Sequence, residues 1–275
     1  MFSIITPTFN RKEIIQDSIN TSLLFIEESE ENDELIIVDD ASTDKTYEFI
    51  SNKYEIFFNK NTLAYKTLPF NQGVTYAKNY GALNAKNEWL VFLDSDDQLL
   101  PNVRALINST ISDNPDYDVF FFRCVDNNFK LVGNKITNSF ETNLNDFVRY
   151  GTYGECLPVI RRTTFLKYQY DADLRGFEGL SYLRMLMGGI KVLISKHPVR
   201  KYSMIGEDRL STQLNLFKRS DTILSGYIRY LKESHRHIAF YPKLILVIKI
   251  LKYLLFSFAG KVTKNKFYNN SNGNN

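Results

Sequence analysis

The sequence predicts an α/β protein built on a doubly wound sheet, with a helical extension at its C-terminal end. Three observations predict this. Short apolar runs without alternation recur within residues 1–100, the pattern of strands buried on both faces of a sheet. Helix-like stretches separate them, and strands alternating with helices are the mark of a wound sheet. Beyond about residue 213 the strand-like runs stop and a basic, apolar helical pattern takes over.

The elements follow in order. Ser3-Ile4-Ile5 leads into Thr6-Pro7-Thr8-Phe9-Asn10, and a helix is expected over 11–26. Leu35-Ile36-Ile37-Val38 leads into Asp39-Asp40-Ala41-Ser42, followed by a helix over 43–52. Asn71-Gln72-Gly73 opens a third helix over 72–86, where Ala77, Gly81 and Ala85 form a small-residue stripe suited to close packing on the sheet. Trp89 to Leu93 is the third run and ends in Asp94-Ser95-Asp96-Asp97. Tyr117 to Phe122 reads as a central strand, the Asn-rich stretch 127–148 as a loop entering a short helix, and Pro158-Val159-Ile160 as a further strand. A helix is expected over Gly179–Met187, stopped by Gly188-Gly189, before a last strand over Ile190–Ser195. Residues 213–233 again read as helix.

Bulk properties narrow the class. A chain of 275 residues with 44 % hydrophobic content can bury a full core. The net charge of +3 is too small to argue for nucleic acid. Only Cys124 and Cys156 are present, so no disulfide framework is expected, and together with an N-terminus that lacks a signal-peptide pattern this predicts a reducing cytoplasm. No uncharged apolar stretch reaches the roughly 18 residues of a membrane span.

The chemistry concentrates in the acidic cluster. Three carboxylates in four residues repel one another, and a fold that gathers them at a strand end most simply does so around a divalent cation. A cation there implies an anionic ligand on its far side, and a phosphate is the usual one. Wound sheets bind ligands at their C-terminal strand ends, so the polar ends of all three runs converge on one site. The chain has no Gly-x-Gly-x-x-Gly and no P-loop; a bound diphosphate would be neutralised by metal rather than cradled by a glycine loop. Read alone, Asp39 and Asp40 could equally cap the helix near Ser42-Thr43, and Lys78 could be an ordinary exposed helix residue.

Four segments carry a resemblance: Thr6-Pro7-Thr8-Phe9-Asn10-Arg11; Val38-Asp39-Asp40-Ala41-Ser42-Thr43-Asp44; Asn71-Gln72-Gly73 with Ala77-Lys78-Asn79-Tyr80-Gly81; and Phe92-Leu93-Asp94-Ser95-Asp96-Asp97. In this order, over residues 1–101, they resemble the motifs of family 2 glycosyltransferases. The resemblance implies a GT-A-like, Rossmann-like mixed sheet that binds nucleotide sugars, and an inverting reaction with a UDP-sugar and Mn or Mg. It implies that Pro7, Thr8 and Arg11 border the base and ribose, that Asp40 accepts from the uracil N3–H, and that Lys78 and Asn79 lie near the ribose and diphosphate. Asp94 and Asp96 would form the Asp-x-Asp element, with Asp96 the direct metal ligand, while Asp97 would assist through water or orient a neighbour.

Inversion requires a carboxylate that takes the proton of the attacking hydroxyl. In the family this acid precedes an amphipathic helix, and Glu178, counted back from Arg184 and Gly189, occupies that position; the acid that usually precedes it is replaced by Phe177. Asp171 and Asp173 are reserves. A late metal-binding His of the family has no counterpart here, and Asp208 in Glu207-Asp208-Arg209-Leu210-Ser211 is a weak stand-in.

The expected organisation is a transferase domain over 1–212, a basic-apolar helical segment over 213–266 and a disordered tail over 267–275. From Ser234 to Lys266 there is no acid, while seven Lys or Arg residues interleave with runs such as Leu244-Ile245-Leu246-Val247-Ile248. Residues 238–266 therefore read as an interfacial anchor on anionic lipid, with a helix docked on the domain as the alternative. The resulting expectation is a hexosyltransferase on the inner face of the cell membrane. It would use UDP-glucose, UDP-galactose or an N-acetyl form and a glycan or polyprenyl-diphosphate-linked acceptor, in O-antigen or capsule assembly. A haloacid-dehalogenase-like phosphatase is excluded by Gln98 and Leu99 after Asp97 and by the lack of a later acidic pair. A non-catalytic sugar-nucleotide-binding or scaffold protein is the remaining alternative.

Overall fold

The computed structural model of the chain describes residues 1–203, 217 and 219–271, with the side chains of the last helix described to Phe258. Strands β1 (Phe2–Thr8), β2 (Glu34–Asp39), β3 (Leu63–Thr67) and β4 (Trp89–Phe92) form a parallel set in the order β3-β2-β1-β4. The sheet then turns mixed. β8 (Cys156–Arg161) runs antiparallel to β4, β6 (Val119–Val125) antiparallel to β8, and β9 (Val192–Lys201) parallel to β6. The short strands β5 (Gln98–Leu99) and β7 (Phe140–Thr142) pair antiparallel with β9.

Two helix layers explain why the strands do not alternate. Helices α1 (Ile15–Glu27), α2 (Thr46–Lys53) and α5 (Val103–Ser112) place Ile19, Ile50 and Ile107 in one core with Ile4, Ile37 and Val91; the short α3 (Glu55–Asn59) follows α2. Helices α4 (Val74–Asn84), α6 (Leu144–Tyr150), α7 (Arg162–Lys167) and α8 (Gly179–Met187) place Ala77, Phe147, Phe165 and Leu183 in a second core with Ile5, Ile36, Phe92 and Phe121. Successive strand residues point to opposite faces. With both faces covered, Ile4 and Ile5 are each fully buried, and so are Ile36 and Ile37.

Among the described residues the C-terminal part carries helices α9 (Ser220–Ser234) and α10 (Phe240–Ser271). α9 packs on α8 and α10, and α10 also touches α6. Tyr230 and Leu246 thereby join the second core. Along α10, Leu246, Tyr253 and Ser257 are buried, whereas Leu244, Ile248, Leu251, Leu255 and Phe258 are exposed. At 100° per residue these are opposite faces of one helix.

The expected runs at 3–8, 35–38 and 89–93 become β1, β2 and β4, and the helix expected at Gly179–Met187 has those bounds. Four expectations shift. α1 starts at Ile15 rather than 11, because residues 9–14 form the loop and turn that pin the end of β1. β3 was not anticipated, since Leu-Ala-Tyr-Lys-Thr is a half-buried edge strand without an apolar run. β9 runs on to Lys201, because Pro198 and Arg200 stay paired with β6 across register shifts. α10 continues to Ser271, past the expected end at 266.

Gly81 sets the approach of α4 to the sheet: a Cβ there would lie 2.4 Å from Ile5 Cγ2 and 3.2 Å from Val38 Cγ2. Gly81→Val is expected to cost about 1–3 kcal/mol of stability through overpacking, measured as a lowered urea midpoint; an unchanged midpoint would show that α4 does not depend on this contact.

Candidate active site

The C-terminal ends of β1, β2 and β4 open into one cavity of about 490 Å³, walled by Pro7, Thr8, Arg11, Asp40, Asp94, Asp96 and, from elsewhere in the chain, Lys78, Arg175, Glu178 and Tyr202. Local hydrogen bonds shape its rim. Asn10, at a φ of 52°, accepts from Thr43 N through Oδ1 and donates its own N–H to Ser42 Oγ, which ties the loop after β1 to the loop after β2. Asp39 accepts from Ser42 N and from the Tyr65 hydroxyl, so it is a structural acid. Asp40 accepts from Gln72 N at 2.6 Å and Gly73 N at 2.7 Å. It borders the cavity while holding the loop that starts α4, where Gly73 takes a φ of 91°.

The three aspartates of the acidic cluster diverge. A turn closed by Asp97 N donating to Asp94 O sends their side chains in different directions. Asp94 Oδ1 meets Lys78 Nζ at 3.0 Å. Asp96 faces the cavity without an ion pair among the described residues. Asp97 turns away from it: Oδ1 accepts from Ser203 N at 2.9 Å, and Oδ2 lies 3.1 Å from Arg200 Nη1. The expected metal role of Asp97 is therefore corrected to an anchor, because its carboxylate is buried against a guanidinium on β9. Burial pushes Asp97 up to about 7 against the pull of Arg200.

Lys78 is the hinge of the site. It is 7 % exposed, yet its ammonium touches Asp94 and also Glu178 Oε1, at 3.2 Å and 100 residues away in sequence. Burial opposes the charge, but the two carboxylates outweigh it and hold Lys78 protonated above the ordinary lysine range. In return Asp94, despite burial, is held below its usual range. Asp96 is pushed upward by burial and by Asp94. Two carboxylates, one without an ion pair among the described residues, would suit Mg or Mn completed by phosphate oxygens and water. Among the described residues no third acid or His joins them.

Other expected residues lie elsewhere. Asn79 does not border the cavity: its side chain donates to Tyr170 O at 2.8 Å and accepts from Tyr170 N at 3.0 Å, a backbone clamp that replaces the expected nucleotide contact. Asp171 pairs with Arg184 at 2.7 Å and Asp173 with Arg229, so both reserve acids serve α8 and α9. Asp208 lies outside the described residues. Phe177, which replaces an expected acid, packs against Tyr227 and Tyr230 of α9 and leaves no space for a side chain on Gly226. Arg200 was missed by sequence reasoning, since a buried arginine late in a mixed strand gives no pattern of its own.

A second cavity, of about 390 Å³, lies behind the first. Lys78, Asp94, Gly176 and Glu178 border both. Glu178, at the N-terminus of α8, therefore stands between two spaces, one walled by Asp40, Asp94 and Asp96 and one whose wall includes the rings of Phe121, Phe147, Tyr182, Tyr227 and Tyr230.

The profile of Glycosyl transferase family 2 matches residues 3–166. The chain belongs to this family. The β-1,3-glucosyltransferase of Campylobacter jejuni that acts on GalNAc(5)-diNAcBac-PP-undecaprenol is 25 % identical over 242 residues, 84 % of this chain and 72 % of that protein. S. aureus TarS 1-349 in complex with UDP-GlcNAc superposes with a TM-score of 0.65 at 20 % identity, covering 94 % of this chain and 72 % of the other. The mannosyltransferase PcManGT of Pyrobaculum calidifontis with GDP-Man and Mn2+ gives 0.63 at 15 % identity, covering 95 % and 75 %. The chain spans 38 % and 36 % of the length of two Haemophilus influenzae glycosyltransferases that it also matches. The expected GT-A fold is thus the fold of this family 2 glycosyltransferase. The family match ends at residue 166, so Glu178, Arg200, α9 and α10 lie outside it.

Asp97→Asn is expected to lower stability by about 3 kcal/mol, since it leaves the Arg200 charge buried with a poorer partner. Chemical denaturation at pH 8 measures this; a variant as stable as the parent would remove the anchoring role.

Proposed function

We propose that the chain is an inverting, metal-dependent hexosyltransferase. It would move a sugar from a UDP-sugar to a hydroxyl of a glycan or lipid-diphosphate-linked acceptor in bacterial surface-polysaccharide synthesis. The observation that carries this reading is the position of Glu178 on the wall shared by the two cavities, tied through Lys78 to Asp94. An acid so placed reaches a hydroxyl arriving from one cavity and an anomeric carbon held in the other.

The residues divide the work. Pro7, Thr8, Arg11 and Asp40 border the space for the nucleoside, and Asp94 and Asp96 would hold Mn or Mg. When bound, the cation supplies charge neutralisation for the departing diphosphate. Lys78 carries a fixed positive charge on the wall of the same cavity. Glu178 takes the acceptor proton as the hydroxyl oxygen bonds to the anomeric carbon. The bond from that carbon to the diphosphate breaks, and its electron pair leaves with UDP. The C. jejuni relative and the UDP-GlcNAc complex of TarS support a UDP-sugar and a lipid-linked acceptor; GDP-Man in PcManGT keeps the base identity a point for measurement.

The chain would work at the inner face of the cell membrane. Among the described residues no helix is long and apolar enough to cross one. The exposed stripe of α10 from Leu244 to Phe258, flanked by Lys243 and Lys252, suits shallow insertion into anionic lipid. Residues 1–212 would form the catalytic domain and the following helices the attachment.

Asp96→Ala is expected to reduce Mn- or Mg-dependent UDP release by roughly a thousandfold, about 4 kcal/mol; near-normal turnover would remove Asp96 as a metal ligand. Glu178→Gln is expected to lower kcat by roughly 10²–10⁴-fold with UDP affinity within about threefold, by titration calorimetry. Equal loss of UDP binding would make Glu178 structural. Ile248→Ser with Leu251→Ser and Leu255→Ser, which leave the buried face of α10 intact, should release the protein from vesicles containing anionic lipid; unchanged co-sedimentation would exclude lipid as the cover of this face.

A further inference from the structure

The second cavity is completed by the C-terminal helices. Phe121 of β6 and Phe147 of α6 line one side, Tyr227 and Tyr230 of α9 and Leu246 and Lys249 of α10 the other. Lys249 is out of pattern. α10 turns Ile248, Leu251, Leu255 and Phe258 toward solvent, yet carries a lysine one turn from the fully buried Leu246, on the flank of its inward face. The Lys249 ammonium lies 5.4 Å from the centre of the Tyr227 ring.

Among the described residues the other charges that line this cavity are paired. Lys78 is matched by Asp94 and Glu178, and Arg200 by Asp97 and by Glu155 at 3.7 Å. Lys249 makes no ion pair among the described residues. Burial holds its pKa below the ordinary lysine value, as expected of a cation without a counter-charge. A half-buried ammonium over an aromatic ring, facing a cavity in which every carboxylate already has a cation, is set up to take an anion from outside the chain.

We propose that the second cavity is the acceptor pocket and that Lys249 binds an anionic group, phosphate or carboxylate, on the acceptor near its reacting hydroxyl. This rests on the reading of Glu178 as the base between the two cavities. The aromatic side chains suit the apolar faces of sugar rings, and the Lys249 ammonium selects acceptors by charge. On this view the helices outside the family match are the part that makes the transferase specific.

The test compares three matched probes: methyl β-D-glucoside, its 6-phosphate, and methyl β-D-glucuronide. Binding to the full chain loaded with UDP and Mn is measured by ligand-observed NMR titration, and transfer by UDP release. The two anionic probes are expected to bind about tenfold tighter than the neutral one. Lys249→Met should bring the ratio close to one, and Lys249→Arg should keep most of it. The phosphate and carboxylate arms decide which anion is preferred. A Met variant that keeps the parent ratio, or a parent with no preference for charge, would overturn the proposal. If the charge preference follows Lys249 while Glu178→Gln retains full transfer, the pocket stands and the base assignment falls; the two failures are therefore distinct.

Discussion

The site is organised by one buried ammonium. Lys78, on a helix behind the parallel half of the sheet, holds Asp94 from the end of β4 and Glu178 from the start of α8. A buried ammonium is tolerable only with close opposite partners, and Lys78 has two, which ties the positions of Asp94 and Glu178 to its own. This contact couples the part of the chain that matches the family with the part beyond residue 166. It also leaves Asp96 as the carboxylate beside it without an ion pair among the described residues, which is where a metal would complete the charge balance.

The acidic cluster shows how sequence proximity and spatial role come apart. Four consecutive residues suggest one function, but the tight turn across Asp94 and Asp97 sends one carboxylate to a lysine, one to the cavity and one to a buried arginine. Asp97 and Arg200 then tie the loop after β4 to β9, and the Ser203 N–H reinforces the tie. The loop that carries Asp94 and Asp96 is thereby braced from behind, which fixes the direction of both carboxylates.

Much of this was legible in the sequence, for identifiable reasons. Runs such as Leu35–Val38 are strands because both faces of the sheet are covered, and non-alternating apolarity reports that directly. Glu178 could be placed because Gly188-Gly189 ends its helix and fixes the count backward. What was not legible depended on long-range pairing. Asn79 sits next to Lys78 in sequence, but a helix turns it by 100°, toward the Tyr170 backbone instead of the cavity. Asp97 gives no sign of Arg200, and β3 is an edge strand whose partly exposed residues produce no apolar run. Phe177 read as a departure from the family until α9 supplied its partners Tyr227 and Tyr230.

The C-terminal helix was expected either to dock on the domain or to lie on lipid, and the structure removes the opposition between the two. Leu246 and Tyr253 are buried on one side, while Leu251, Leu255 and Phe258 stand in solvent on the other. Docking fixes which side faces out. A continuous apolar stripe of this extent along one helix calls for a further surface, and lysines at its edges with no acid from Ser234 to Lys266 favour an anionic one. Because the inward face of the same helix walls the second cavity, whatever covers the outward face also sets the orientation of that cavity. A lipid cover would hold the aromatic pocket and Glu178 at a fixed height above the surface, within reach of an acceptor anchored there. Attachment and acceptor choice would then be two faces of one helix, and substitutions on either face should separate them.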